Sequence, residues 1–192
     1  MSKSMTRRKK KKRYLIGIVL AIILVTVLLL IPTILRRFVY PKDYSEYVIE
    51  YSKDNNVDSD FIFAVIKTES GFDTSAESDV GAFGLMQIMP DAFEWTRDIL
   101  LKEDRSIEFS EMKTPKINVR YGCAMLGWYY KKYNSYELSA AAYHAGTTKV
   151  DSWISDGTIS VENFDVEDIP TASTKHYIKK VMKAYKAYQN LY

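Results

Sequence analysis

One carboxylate in this 192-residue chain stands where an acid is poorly solvated. Glu69 follows Phe61, Ile62, Ala64, Val65 and Ile66, an almost unbroken apolar run that predicts a buried helix closing near Glu69-Ser70. The backbone carbonyls at a helix C-terminus carry partial negative charge, and apolar neighbours withdraw water. Both effects disfavour the carboxylate and raise its pKa. A carboxyl that keeps its proton near neutral pH can donate it to a leaving-group oxygen, which is general-acid chemistry. The same pattern also fits a solvent-reaching glutamate paired with Lys67, and local context alone does not choose between the two.

Other reactive groups are scarce. Cys123 is the single cysteine, so no intramolecular disulfide forms, and its apolar helical setting predicts a buried structural thiol. With two histidines, His144 and His176, and no C-x-x-C or H-x-x-x-H spacing, neither a metal site nor a cofactor is expected. Trp95, Trp128 and Trp153 are read as core packing rather than as sugar-stacking platforms.

The elements that must position Glu69 are helical. Tyr44, Tyr47, Val48 and Tyr51 recur at three- and four-residue steps and predict an amphipathic helix over about 43–54. Asp58 or Ser59 caps the Glu69 helix. Gly71, Gly81 and Gly84 punctuate a polar loop, after which Pro90 forces Met89 to be extended and opens another helix. Thr114-Pro115 starts a long helix with Ile117, Tyr121, Met125, Trp128 and Tyr129 on one side. Asn134 or Ser135 caps an alanine-rich helix that stops at Gly146. Residues 155–170 are acidic and irregular. Ser173 or Thr174 starts a last helix with Tyr177, Ile178, Val181, Met182, Tyr185 and Tyr188 facing inward. Strand-like alternation is scarce, so a mainly α domain is expected over residues 43–192.

The N-terminus is of another kind. Residues 1–13 hold eight bases and no acid, and Arg36 and Arg37 add two. With those ten set aside, 17 Lys and Arg face all 24 acids, so residues 38–192 carry −7 although the whole chain is +3. From Tyr14 to Leu35 no side chain is charged over 22 residues. At about 1.5 Å per residue that run crosses the roughly 30 Å hydrocarbon layer. A cleaved signal peptide has an apolar core of about 7–15 residues followed by small residues. Here the run is longer and leads into Pro32-Thr33-Ile34-Leu35-Arg36-Arg37, so an uncleaved anchor in the plasma membrane is expected. The excess of bases on the first flank places the N-terminus in the cytoplasm and the domain outside. The organisation expected is a basic cytoplasmic tail (1–13), a transmembrane signal anchor (14–35), a juxtamembrane linker (36–42) and the folded domain (43–192). Nucleic-acid binding would rest on the first thirteen residues alone and is not expected. Gly17 and Ala21, four apart, suit helix–helix packing, but so short a motif carries little weight.

Three blocks in order carry a family resemblance. The first is Glu69-Ser70 with Ser78 and Gly84-Leu85-Met86-Gln87-Ile88-Met89-Pro90. The second is Ala142-Tyr143-His144-Ala145-Gly146 and the third is Thr174-Lys175-His176-Tyr177-Ile178, with Asn118 and Gly122 between the first two. Over roughly residues 43–190 this pattern resembles the catalytic domain of the soluble lytic transglycosylases, whose fold is similar to goose-type lysozyme. The resemblance implies that the partner is the glycan strand of peptidoglycan. Glu69 would protonate the oxygen between N-acetylmuramic acid and N-acetylglucosamine, then take the proton of the muramic C6 hydroxyl as that oxygen closes a 1,6-anhydro ring. It implies that Tyr143 hydrogen-bonds and orients Glu69, and that Ser78, Gln87, Met89, His144 and Tyr177 line the sugar subsites.

Two positions depart from the family pattern. His144 stands for an asparagine, and Ser173 for a glutamate whose charge Glu167 or Asp168 would have to supply. Rival readings remain open at this stage. A hydrolytic muramidase on the same fold would need a second carboxylate, for which Asp73, Glu77 and Asp79 are candidates. A non-catalytic wall-binding scaffold would need neither. By analogy, a single anchored domain suits local opening of the wall for a larger cell-envelope assembly.

Overall fold

The computed structural model describes the backbone of residues 2–192 and the side chains from residue 12 onward. Two compact units divide near Pro41 and Lys42.

The first unit is helix α1, Ser2–Ile34, followed by a π-helical stretch, Leu35–Val39. Helical winding therefore continues past Leu35, the expected end of the anchor. Pro32 sits in the last turns of α1, where its missing N–H and its ring disturb the ladder least. Lys12–Val39 is long and apolar enough to cross a membrane. A helix keeps its backbone polar groups bonded within itself, the condition for residing in hydrocarbon.

The second unit is helical. Helix α2 (Ser45–Asp54) leads through a short turn to α3 (Ser59–Glu69), whose first turn is capped by the Asp58 carboxylate accepting from the Asp60 N–H at 2.8 Å. Phe61 through Ile66 are all buried, as their continuous apolarity requires. Among the described residues, extended pairing is confined to two isolated bridges in the following loop, Glu77 with Phe83 and Phe83 with Ile88. Helix α4 (Pro90–Trp95) starts at Pro90, after an extended Met89, and runs on as a π stretch, Thr96–Leu101.

Helix α5 (Pro115–Tyr133) is the centre of the domain and packs against α2 and against α6 (Tyr136–Ala145). It was expected to be apolar on one side. Instead Asn118, Val119 and Tyr121 through Gly127 are all buried, including the Cys123 thiol. Small residues make this possible: a Cβ at Gly127 would stand 2.6 Å from the Asn55 carbonyl oxygen, so only glycine lets the α2–α3 turn approach so closely. Trp95 and Trp128 are half-buried and meet edge to face, with ring centroids 5.1 Å apart, and Trp153 is also half-buried.

Ser135 caps α6 by accepting from the Leu138 N–H at 3.1 Å, while Asn134 closes α5 with a left-handed backbone. Gly146 ends α6 but does not stop helical structure, because α7 (Thr147–Ser155) begins on its far side. A positive φ of 85° lets one residue serve both ends. Helix α8 (Ala172–Leu191) starts slightly ahead of the expected Ser173 or Thr174, which leaves Thr174 buried inside its first turn. Its inner face meets α3 through rings, Tyr185 against Phe61 and Tyr188 against Phe63. The Tyr185 hydroxyl also donates to Asp58 at 2.7 Å.

Candidate active site

Glu69 is the last residue of α3. Ser70 leaves helical geometry, and its hydroxyl donates to the Leu85 carbonyl at 2.8 Å while accepting from the Phe72 N–H at 3.1 Å. The end of α3 is thus tied directly to the glycine-punctuated loop. The Glu69 side chain is half-buried, and its Oε1 accepts a 2.5 Å hydrogen bond from the Tyr177 hydroxyl of α8. Burial pushes its pKa from 4.5 up to about 7, against the opposing influence of the Tyr177 bond and the Lys180 charge. The acid expected from the sequence is therefore poised between its two protonation states near neutrality.

The loop facing Glu69 is held by one fully buried amide. Asn118 of α5 accepts from the Met86 N–H at 2.8 Å and donates to the Phe83 and Met112 carbonyls at 2.9 and 2.7 Å. Gly84, at φ +76°, lies against the same group: a Cβ there would stand 2.6 Å from Asn118 Nδ2 and closer still to the Met112 oxygen. Gly122 faces the Met86 side chain, leaving no room for a Cβ. The positions between the first two blocks thus shape the loop from beneath.

The three sequence blocks close on one another. Tyr143 donates to the Met86 carbonyl at 2.7 Å, joining the second block to the first. His144 Nδ1 lies 3.2 Å from Thr174 Oγ1 and its ring sits 4.7 Å from that of Tyr177, joining the second to the third. Tyr177 on Glu69 joins the third to the first.

One expected pairing is corrected. Tyr143 was to bond Glu69, but Tyr177 makes that bond and Tyr143 bonds the Met86 carbonyl. Tyr143, in the last turn of α6, reaches a loop carbonyl that needs a donor, whereas Tyr177, in the second turn of α8, points at the end of α3. Tyr143 still lies close enough for the Glu69 charge to raise its pKa, together with the larger effect of burial. Tyr177 is buried and shifted upward by burial, by the Glu69 charge and by the hydrogen bond.

The other expected subsite residues are distributed as follows. The Ser78 hydroxyl accepts from the Ala82 N–H at 2.9 Å and closes a turn. The Gln87 amide nitrogen donates to the Ala76 and Gly84 carbonyls at 3.1 and 3.0 Å, bracing the loop from within. Met89 is exposed at the start of α4, and His144 is exposed beside Tyr177. Asp73 spends its carboxylate on the Ser75 N–H and hydroxyl, and Glu77 pairs with Lys113 at 3.0 Å, both at the surface. Asp79 is exposed. Glu167, one of two substitutes weighed for the acid absent at Ser173, pairs with Lys175 and Lys179. The sequence reading passed over Lys180, which donates to the Thr68 carbonyl at 3.2 Å. Its i+3 spacing from Tyr177 puts the two on one face of a helix but does not mark the distant carbonyl.

The chain matches the transglycosylase SLT domain over residues 46–160. It is 32% identical over 152 residues to the soluble lytic murein transglycosylase of Salmonella typhimurium, covering 78% of this chain and 23% of that protein. The 70 kDa soluble lytic transglycosylase of Escherichia coli superposes with a TM-score of 0.70 at 30% identity, over 78% of this chain and 24% of that one. An inactive Glu-to-Gln mutant of the lytic transglycosylase Slt from Pseudomonas aeruginosa gives 0.69 at 28% identity, over 79% and 24%. The chain therefore spans about a quarter of the length of these relatives. The mainly α, lysozyme-like fold expected from the sequence is the fold found. By its sequence match and by the helices that carry Glu69 and its surroundings, this chain belongs to the transglycosylase SLT domain family.

Proposed function

We propose that this chain is a peptidoglycan lytic transglycosylase held at the plasma membrane by α1, with its tail cytoplasmic and its domain on the wall side. The observation that carries the reading is the Tyr177–Glu69 bond around a carboxyl whose pKa is raised to about 7. The proton on Glu69 goes to the glycosidic oxygen as its bond to the muramic C1 breaks. The muramic C6 oxygen then bonds to C1, and its proton passes to Glu69. The acid is regenerated, no water is consumed, and one carboxyl serves both halves, unlike the paired carboxylates of most glycoside hydrolysis. Support also comes from the relatives, which are named lytic transglycosylases. The basic flank of residues 1–13 and the apolar Lys12–Val39 support the anchor and its orientation.

Digestion of purified glycan strands by the detergent-solubilised full chain, with products weighed by mass spectrometry, tests the reading. Expected products end in 1,6-anhydromuramic acid, one water lighter than reducing ends, and Glu69→Gln yields none. Reducing ends alone would convert the reading to a hydrolytic muramidase. Equal cleavage by Glu69→Gln would remove Glu69 as the acid, and glycan binding without cleavage by the wild type would leave a wall-binding scaffold.

A further inference from the structure

Glu69 is faced by Tyr177 and Lys180 from α8 and by Tyr143 from α6. The two tyrosines are accounted for by the site described above. Lys180 is not. It lies one turn beyond Tyr177 on the same face of α8, and its ammonium donates to the carbonyl of Thr68, the residue before Glu69. That carbonyl belongs to the last turn of α3, where the final carbonyls have no partner within the helix and the macrodipole presents negative charge. A cation bonded there satisfies one of those carbonyls. It also sets a positive charge beside the carboxyl that follows.

We propose that Lys180 is a positioning residue for the acid–base carboxyl: its ammonium, fastened to the Thr68 carbonyl, keeps Glu69 able to give up its proton as well as to hold it. This rests on the functional reading above. The reaction needs the carboxyl protonated for the first bond and ionised for the second, so a group trapped in either form stalls one half. Burial drives Glu69 toward the protonated form, while the Tyr177 bond and the Lys180 charge pull the other way. Lys180 and Tyr177 leave the same helix one turn apart, so α8 supplies both counterweights. Lys67, whose own pKa is lowered by burial and by the Lys180 charge, is a neighbour of Lys180.

The test is direct titration of the Glu69 carboxyl by carbon NMR in the full chain, for wild type, Lys180→Met and Lys180→Arg. Thermal unfolding and the pH profile of glycan cleavage are recorded beside it. Lys180→Met is expected to move the Glu69 titration upward by roughly half a unit, the low end for an exposed opposite charge. The alkaline limb of kcat/KM moves with it, and Lys180→Arg stays at the wild-type value. A role limited to capping predicts a lower Tm for Lys180→Met with the Glu69 titration in place, and that result overturns the proposal. Because the titration needs no substrate, this outcome is separate from failure of the functional reading, which shows as absence of cleavage by the wild type.

Discussion

The Tyr177 hydroxyl meets Glu69 Oε1 at 2.5 Å across 108 residues of chain. The shortest polar contact the acid makes is therefore delivered by the last helix, while the tyrosine of the second block holds the loop. This division of labour between a buried and a half-buried tyrosine gives the first test.

Tyr177→Phe removes a donor to the ionised form of Glu69, so its pKa rises further and the alkaline limb of kcat/KM moves up. A hydrogen bond to a charged group is worth about 1.5–3 kcal/mol, which sets the expected loss in kcat at roughly 10- to 100-fold. Tyr143→Phe instead leaves the Met86 carbonyl without its donor and lowers stability by about 1–3 kcal/mol, with the Glu69 titration in place. Kinetics and denaturation of both variants decide. If Tyr143→Phe moves the titration and Tyr177→Phe does not, the assignment of roles is reversed.

Activity should follow the protonated fraction of Glu69. With its pKa near 7, kcat/KM is expected to fall on the alkaline side through that value. A profile flat from pH 6 to about pH 8, the range over which such an acid ionises, would remove Glu69 as general acid.

The same shift has a consequence for stability, and its sign is fixed by linkage. The folded chain holds the Glu69 proton up to about pH 7, whereas an unfolded glutamate loses it near 4.5. The stabilisation is full below the lower value and is lost as pH rises through the higher one. Glu69→Gln should therefore be the more stable protein at pH 8 by about 2–3 kcal/mol, and close to wild type at pH 4. Denaturant melts at the two pH values check this. Equal stability at pH 8 would mean that the carboxyl is solvated.

Two glycines of the loop should respond differently to alanine. Gly81 and Gly84 both have positive φ, but a Cβ at Gly81 meets nothing within 4 Å, whereas one at Gly84 drives into Asn118. Gly81→Ala is expected to cost about 1–2 kcal/mol from backbone strain alone. Gly84→Ala should cost roughly 3–5 kcal/mol, because it also breaks the buried amide's bonds. Comparable losses in urea melts would show that the loop rests on something other than Asn118.

Much of this arrangement was legible in the residues. The burial of Phe61 through Ile66 and the start at Pro90 follow from local chemistry, and the Asp58 and Ser135 caps are each one of the two neighbours it offered. The raised pKa of Glu69 was one of two outcomes that local context allowed, and burial decides between them. What was not legible depends on contacts across the fold. Periodicity gave α5 one apolar side because Gly122, Ala124 and Gly127 look neutral in a helix; only packing turns them into buried approaches. Gly146 reads as a stop, but its far side faces a second helix. Tyr143 and Tyr177 are each tyrosines on helical faces, and nothing in either local sequence says which hydroxyl reaches the acid. Lys180 is silent in the sequence for the same reason, since its partner is a backbone carbonyl of another helix.

The buried Cys123 gives the domain a property that its surface does not show. Its thiol lies wholly inside α5's surroundings and burial raises its pKa, so the reactive thiolate is scarce and out of reach. An oxidising compartment has nothing to couple it to, and domains meeting face to face will not be stapled by sulfur. Only a molecule that has opened its centre exposes the sulfhydryl. A thiol-modifying dye therefore counts excursions from the folded state, with no engineered probe.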